Sequence, residues 1–305
     1  MIFRHAYREG VWVDLEQPSE DEIRDVIREF SISSSFEKEM LSPTPAALVA
    51  GDAGMTLLVL HFPAHGEDDD TKSQEVDFIV GDRFIVTIRY EVVAPLYHLK
   101  KLLEAQTLVE KKNLITTDIL LEILFAHLYA SVRDHTDHIL DKLARVERDM
   151  FDGRERTTIR SISNISREFL HMEATLANQE DSLARFLKML AGRDAFGPAF
   201  AERAERVLAQ REQAARLVAT HRAVAAELRE TNSALLGSRQ NEIMKTLTTV
   251  NFIFLPLGLI TWTFAMRTEG TPLIDSPNAF WIVIGIMLGV AALLTAFFAR
   301  KRWIF

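Results

Sequence analysis

The feature that most constrains this fold is a pair of long uncharged stretches near the C-terminal end of the sequence. Residues 247–266 carry no charged side chain, and residues 280–299 form a second such stretch after a short polar loop. Because a helix rises about 1.5 Å per residue, about 20 apolar residues cross a hydrocarbon layer of roughly 30 Å. The sequence therefore predicts a hairpin of two transmembrane helices after a large water-soluble part. Two helices are too few to enclose a pore, so a conduit would need several chains.

Composition narrows the classes of partner. A hydrophobic content of 48% is ordinary for a soluble protein, so the apolar excess is local to the two stretches. The net charge of −8, with no basic stripe between aromatic residues, argues against nucleic acid as a partner. The sequence has no cysteine, which excludes disulfides and thiolate metal sites and fits a cytoplasmic soluble part. The first residues lack a long apolar run, so we expect no cleaved signal peptide.

Basic residues flank the two stretches asymmetrically. Arg239 and Lys245 precede the first stretch, and three basic residues starting at Arg300 follow the second. The connecting loop, residues 268–278, contains two acidic residues and no lysine or arginine. Because basic flanks stay on the cytoplasmic side, we expect a multi-pass protein of the inner (plasma) membrane with both termini in the cytoplasm. The alternative, with both termini outside, would put the basic clusters on the wrong face.

Residues 1–95 are predicted to form an α+β domain. Residues 11–15 alternate as in a strand, and residues 55–62 form an apolar strand. Ser19, with Glu22 three positions later, forms a capping box that predicts the start of a helix. Residues 75–80 and 83–90 are two further strands, joined by a tight hairpin turn.

An acidic run, Glu67 to Asp70, lies between two of these predicted strands. Such a run is typical of a solvated loop. A regulatory cation site is the alternative.

Helical patterns replace the strand patterns after residue 95. Residues 96–105, 116–151 and 156–190 are predicted helices of a helical region, residues 96–197. A pattern with a period of seven residues follows, and most of its positions are apolar or small. The positions are Phe200, Val207, Ala214, His221, Leu228 and Leu235. This spacing resembles a coiled coil, and no helix breaker separates it from the first uncharged stretch. We therefore expect one helix of about 65 residues, ~100 Å long, running from the cytoplasm through the bilayer.

The predicted order of segments follows from these patterns. The long stalk helix with the first transmembrane helix occupies residues 198–267, the outer loop 268–278 and the second transmembrane helix 279–299. A basic cytoplasmic tail, residues 300–305, ends the sequence.

Several short motifs resemble the CorA-type divalent metal ion transporters. Each motif is modest, but together they run in the family's order over nearly the whole chain. They are WVDL at residues 12–15 with Pro18 and Ser19, LHFP at 60–63, EVDFIVG at 75–81, MKTLT at 244–248, FLPL at 254–257, and KRW at 301–303.

The resemblance implies a funnel-shaped homopentamer whose five first spans line a pore and whose second spans face lipid. It implies passive influx of a divalent cation, Mg²⁺ first and Co²⁺ or Ni²⁺ as further candidates, with gating from the cytoplasm. The expected partners are other copies of the chain, the lipid bilayer and divalent ions, and the only expected cofactor is the transported and regulatory ion. Two alternatives stay open: a zinc transporter similar to ZntB, and a poorly conducting, membrane-anchored metal sensor.

Enzymatic motifs are not recognisable in the sequence. We find no glycine-rich phosphate loop and no Ser/His/Asp spacing above chance. We therefore expect no enzyme, and no transport powered by nucleotide hydrolysis.

The chain departs from the family at one motif. The family's signature after the first span is Gly-Met-Asn, or Gly-Ile-Asn in zinc transporters resembling ZntB. Here Ala265, Met266 and Arg267 occupy these positions. Arg267 either turns away from the pore axis, toward Glu269 or lipid headgroups, or faces the axis and alters selectivity or rate.

The resemblance also assigns pore-facing positions. They are Met244, Leu247, Asn251, Leu255, Gly258 and Trp262. Steps of three and four residues keep these positions on one helix face. Met244 and Leu247 would form an inner hydrophobic gate, and Asn251 would form a polar ring within the membrane. The alternative role for Asn251 is a hydrogen bond between helices.

Carboxylates are the expected ligands of a regulatory divalent cation, because such hard ions prefer oxygen. The candidates are Glu227 and Glu230 on the stalk, and Asp68, Asp69 and Asp70 in the acidic run. Ordinary solvated charge is the alternative for the two glutamates.

Histidines offer a weaker metal signal. His135 and His138, with Asp134 and Asp137, could bind zinc, but with no third ligand fixed by the sequence a solvated helix face is favoured. His221 is expected to be a packed or interface histidine.

Overall fold

The computed structural model describes residues 1–8, 10–63, 73–109, 115–266 and 278–301. The chain divides into two compact units, Met1–Arg229 and Glu230–Phe305. We call them the N-terminal unit and the C-terminal unit. The boundary falls within one long helix, so each unit contributes a part of that helix.

A six-stranded mixed sheet forms the centre of the N-terminal unit. Its strands follow the spatial order β1-β2-β6-β5-β4-β3, with β2 and β6 parallel and all other neighbours antiparallel. The strands are β1 (Ile2–Tyr7), β2 (Gly10–Glu16), β3 (Leu48–Asp52), β4 (Met55–Pro63), β5 (Ser73–Val80) and β6 (Phe84–Arg89).

The described part of the chain also contains α-helices. They are α1 (Glu20–Glu29), α2 (Ser34–Leu41), α3 (Ala94–Val109), α4 (Thr117–Phe151), α5 (Glu155–Ala191), α6 (Phe200–Ala265) and α7 (Ala279–Arg300). A short 3₁₀ turn, Asp194–Phe196, precedes α6.

Both faces of the sheet are covered, which gives three layers. On one face, Phe36 and Met40 of α2 pack with Val13, Leu57 and Val86 of the strands in one buried apolar cluster. On the other face, the rings of Phe78 and Phe125 lie 5.0 Å apart and join β5 to α4. Strands buried on both faces must be apolar at consecutive positions, as 55–62 is in the sequence.

The local signals near the N-terminus are confirmed. The amide of Glu22 donates to Ser19 Oγ at 3.3 Å, and the amide of Ser19 donates to the Glu22 carboxylate at 2.9 Å. The strands flanking Gly81 pair as an antiparallel hairpin, and the Gly81 amide donates to the Phe84 carbonyl at 3.1 Å.

Two strands and one helix were not predicted from the sequence. β1 and β3 lie at the two edges of the sheet, and α2 has only eight residues. A turn signal for β3 was present: Ala53 and Gly54, with φ of 47° and 75°, connect Asp52 directly to Met55 of β4. Positive φ at both central positions is typical of the tight turns that match the twist of paired strands.

The predicted boundary at residue 95 marks the end of the sheet in the sequence. In the structure, α4 and α5 pack onto that sheet, so the sheet and the helices before Arg229 belong to one unit. The expected single long helix is present as α6, which has 66 residues and includes Pro256. A proline there removes one hydrogen bond of the helix but leaves the helix continuous.

A buried ionic network joins β2 to β6 beneath the helical layer. The Arg89 side chain is 0% exposed, and its Nη2 donates to Asp14 at 2.8 Å and to Glu16 at 2.6 Å. Thr87 Oγ1 donates to Asp14 at 2.7 Å, and Trp12 Nε1 donates to Thr87 at 3.0 Å. Every strong donor and acceptor in this group therefore has a partner, which a buried ion pair requires.

Replacing Arg89 by methionine would leave Asp14 buried without its cation. We expect a loss of about 3–5 kcal/mol in the free energy of unfolding of the N-terminal unit, since removing one member of a buried pair strands the other charge. Pulse proteolysis of the full-length protein in increasing urea would measure this loss. The quantity to follow is the amount of fragments released from the N-terminal unit at each urea concentration.

Arg4→Met is the matched control for this substitution. Arg4 also binds a carboxylate with both guanidinium branches, but its side chain and that of Glu29 are 45% and 43% exposed. Exposed pairs contribute about 0.2–1 kcal/mol, so the control should unfold close to the wild type. Equal midpoints for the two variants would contradict a special role of the buried pair.

Candidate functional site

Helix α6 has one face packed against α7 within the C-terminal unit. Thr249 is only 3% exposed, and the rings of Phe252 and Phe298 lie 6.2 Å apart. Farther along, Thr261 Oγ1 lies 3.7 Å from the sulfur of Met287. These contacts define the covered face of α6.

The predicted pore positions lie on the opposite face. At about 100° of rotation per residue, the centre of the pore positions lies roughly 150° around the helix axis from the centre of Thr249, Phe252 and Thr261. Met244, Leu247, Leu255 and Trp262 are between 53% and 68% exposed, Asn251 is exposed, and Gly258 is partly exposed. We call this face the open face of α6. A single chain leaves it uncovered.

Asn251 differs in its bonding from the other polar residues of this segment. The hydroxyls of Thr249, Thr261 and Thr263 each donate to the carbonyl four residues earlier in α6, at 2.7–2.9 Å. The Asn251 amide makes no hydrogen bond to the residues that the structure describes. The alternative role considered for it, a bond between helices, is thus not present between α6 and α7 of one chain.

The altered signature motif lies at the end of α6. Ala265 is the last residue of the helix, and the exposed Met266 donates its amide to the Trp262 carbonyl at 3.2 Å. Arg267, with the loop that follows it, lies outside the described residues.

The carboxylates proposed as regulatory ligands are not gathered within one chain. Glu227 and Glu230 are exposed on α6 and form no ion pair with residues in the described part of the chain. Asp68, Asp69 and Asp70 lie outside the described residues. Within the described part of the chain, no group of three or more His, Asp or Glu side chains is arranged to hold a metal ion.

The prediction of a solvated face for the DHTDH segment is wrong at His135. This residue is only 7% exposed, and its Nε2 lies 2.9 Å from the Glu168 carboxylate of α5. The reason is that position 135 continues the apolar stripe by which α4 packs on α5. Asp134, Asp137 and His138 are exposed, as expected. His221 packs against the ring of Phe169 at 6.4 Å, which confirms the expectation of a packed histidine.

Four arginines that the sequence analysis did not single out fasten α6 to α4 and α5 within the N-terminal unit. Arg203 bonds Asp118 and Glu122 at 2.8 Å each, Arg206 bonds Glu122 at 2.6 Å, Arg211 bonds Glu180 at 2.7 Å, and Arg222 bonds Glu173. We call this set the arginine contacts. The hydrogen bond from Arg206, joined by that from Arg203, lowers the pKa of Glu122. In the sequence these residues are indistinguishable from solvated charges, because their partners lie 31–85 positions away.

Two helices are long and apolar enough to cross a membrane by length and composition: α6, and residues Phe280–Arg300 of α7. The last part of α6 and nearly all of α7 correspond to the two uncharged stretches of the sequence.

Comparison with known proteins extends over nearly the whole chain. The family model described as CorA-like Mg²⁺ transporter protein matches residues 8–301. The cobalt/magnesium transport protein CorA of Methanocaldococcus jannaschii is 23% identical over 96% of this chain and 91% of its own length.

Solved structures show the same fold. The complete structure of the CorA magnesium transporter from Methanocaldococcus jannaschii covers 98% of this chain and 93% of its own, with a TM-score of 0.81 and 20% identity. The full-length CmaX protein covers 96% and 89%, with a TM-score of 0.70 and 19% identity. The ZntB cytoplasmic domain from Vibrio parahaemolyticus covers 76% and 89%, with a TM-score of 0.61 and 11% identity.

The resemblance inferred from short motifs is thereby confirmed by a match that includes the sheet, the long helix and both apolar helices. The chain belongs to the family of CorA-like Mg²⁺ transporter proteins.

Proposed function

We propose that this chain is a passive influx pathway for divalent metal cations, Mg²⁺ first, in the plasma (inner) membrane. Five copies surround one axis, their α6 helices line the pathway, and both termini face the cytoplasm. Family membership supports the transport of a divalent cation, and the basic flanks of the two apolar helices support the orientation.

The observation that carries the proposal is the open face of α6. It presents Asn251, which has no partner among the described residues, in the second turn of a segment otherwise apolar enough to cross a bilayer. An unpaired amide facing lipid would be costly, since hydrocarbon offers it no hydrogen bond. Turning the open face toward a water-filled axis shared by several copies removes that cost.

The residues of the open face suit a hydrated divalent ion. Mg²⁺ releases its water reluctantly, so a ring of Asn251 amides would contact the hydrated ion through oxygen and N–H groups. Met244 and Leu247, both 53% exposed in one chain, would form apolar rings that close by excluding water.

The driving force needs no chemical step on this chain. An inside-negative potential of ~100 mV contributes about 4.6 kcal/mol to the entry of each divalent cation. The protein then has only to open a path and to close it.

A zinc transporter coupled to protons is the second candidate. The fold shared with the ZntB cytoplasmic domain supports it. It differs from the first candidate in two measurable ways: zinc would compete effectively with magnesium, and flux would follow an imposed pH gradient.

Ion flux into liposomes that contain the purified full-length protein tests the function directly. We expect uptake of Mg²⁺, with Co²⁺ and Ni²⁺ as competing ions, driven by an inside-negative potential. Zinc flux that requires a pH gradient would favour the second candidate. Liposomes with no flux of any of the four ions would reject transport and favour a metal sensor.

Thiol labelling tests which face of α6 lines the pathway. Because the chain has no cysteine, each introduced thiol is single. We expect Leu247→Cys, Asn251→Cys and Leu255→Cys to react with a charged, water-soluble thiol reagent in liposomes and to lose flux. A thiol held in apolar surroundings is rarely ionised: each unit of pKa increase lowers the thiolate population about tenfold.

Thr249→Cys and Ile253→Cys are the matched controls, because they lie at similar depth on the covered face of α6. They should react at least about tenfold more slowly than the open-face thiols. Faster reaction of the controls would place the pathway elsewhere.

Replacing Arg267 by asparagine should increase divalent uptake in cells that lack other importers. Five guanidinium groups about 8 Å from an axial divalent ion would repel it by roughly 5 kcal/mol at ε ≈ 80, before screening by salt. Uptake of the labelled ion by intact cells measures the change. Arg267→Lys, which keeps the charge, should stay close to the wild type. Equal uptake by all three proteins would remove Arg267 from the selectivity argument.

A further inference from the structure

Two carboxyl groups lie side by side in the apolar layer between the sheet and α2. Glu75 and Asp77 are two positions apart on β5 and therefore point to the same face. Asp77 is 0% exposed, and its cross-strand neighbours are Val59 of β4 and Ile88 of β6. Within the described part of the chain, Asp77 Oδ1 has no hydrogen-bond partner. An apolar layer does not easily accommodate two ionised carboxylates that lack a counter-charge.

The hydroxyl of Tyr90 lies between the end of α2 and Asp77. It donates to the Met40 carbonyl at 3.0 Å, and Asp77 Oδ2 lies 3.4 Å from the same hydroxyl. Because the hydroxyl has one proton and the Met40 carbonyl is the nearer acceptor, Tyr90 compensates a charge on Asp77 only weakly.

Glu75 is the charged member of the pair. Its carboxylate accepts from the Thr44 amide at 2.8 Å and from the Thr44 hydroxyl at 3.2 Å. His61 Nε2 lies 2.9 Å from the Thr44 carbonyl and 3.4 Å from Glu75, so this nitrogen carries a proton. Glu75 thus holds the segment that contains Thr44, residues 42–47, against the sheet.

We propose that Asp77 is a proton-binding switch of the N-terminal unit. With its proton bound, the segment 42–47 and the end of α2 stay seated on the sheet through Glu75, Thr44 and Tyr90. When the proton passes to water, two adjacent carboxylates face each other in an apolar layer, and this layer opens to let water reach them. The switch therefore responds to the pH of the compartment that this unit faces.

The groups around Asp77 together favour its protonated form. Burial, followed by the charge of Glu75 and, more weakly, of Glu39 on α2, raises the pKa of Asp77 well above its ordinary value, while the Tyr90 hydroxyl opposes this. Glu75 also raises the pKa of His61 on β4. A raised folded-state pKa gives stability that is complete at low pH and is lost as pH rises through that pKa. Both groups therefore weaken the packing as the pH increases.

Hydrogen–deuterium exchange of the full-length protein in detergent micelles measures the switch. After correction for intrinsic exchange, protection of peptides that cover residues 40–47 and 73–80 should fall with rising pH. An opening that releases one proton becomes about tenfold more favourable for each pH unit above the pKa. Asp77→Asn, which is neutral and of equal size, should abolish this dependence.

Asp21→Asn is the matched control, because the Asp21 side chain is 94% exposed on α1. It should keep the pH dependence of the wild type. A wild-type protection that is independent of pH, or an Asp77→Asn protein that retains the wild-type dependence, would overturn the proposal.

A second measurement uses the wild-type protein alone and so does not depend on whether a variant folds. The infrared C=O band of a protonated carboxylic acid should be present in the wild type at the pH values where protection is complete and should vanish over the pH range in which protection is lost. Absence of the band where protection is complete would overturn the proposal. A band that persists after protection is lost would do the same.

Discussion

The inability of hydrocarbon to form hydrogen bonds is the constraint on which the C-terminal unit depends. It requires α6 and α7 to satisfy their backbone groups internally, and it directs threonine hydroxyls back to carbonyls of their own helix. It also makes Asn251 informative, because an amide with no partner among the described residues needs water or another chain. Helix α7 occupies the covered face of α6, so the open face is the one available to contact water or another chain.

A different balance of forces operates in the N-terminal unit. The sheet is buried on both faces, so polar groups inside it survive only where every charge has a partner. Arg89 meets this condition with Asp14 and Glu16. Asp77, with one oxygen that has no partner among the described residues, meets it only by holding a proton. The same physical rule thus gives a permanent ion pair at one place and a titratable group at another.

Sequence patterns predicted the parts of the fold that depend on near neighbours. The capping box at Ser19, the hairpin at Gly81 and the long helix α6 each follow from residues a few positions apart, and each is confirmed. Edge strands β1 and β3 were not predicted, because they are short and carry little periodic signal. The burial of His135 was not predicted, because its cause lies on α5 and contacts between distant segments leave no pattern in a single sequence.

The candidate site divides in the same way. The common face of Met244 through Trp262 follows from spacing along one helix, together with the family resemblance. The arginine contacts do not, since Arg203 and Arg206 meet Asp118 and Glu122 only after α4 and α6 are packed together. Which residues meet across copies of the chain depends on contacts that one chain does not contain.

The pairing of β2 with β6 has a consequence for biogenesis. These strands are parallel, and β3, β4 and β5 lie between them in the sequence. The sheet can therefore be completed only after β6 has been synthesised. Both strands precede the apolar helices in the sequence. At a translation rate of about 5–20 residues per second, the sheet has several seconds to form before the first membrane helix leaves the ribosome. This order of synthesis lets the sheet close before insertion begins, so that insertion can act on a partly folded protein.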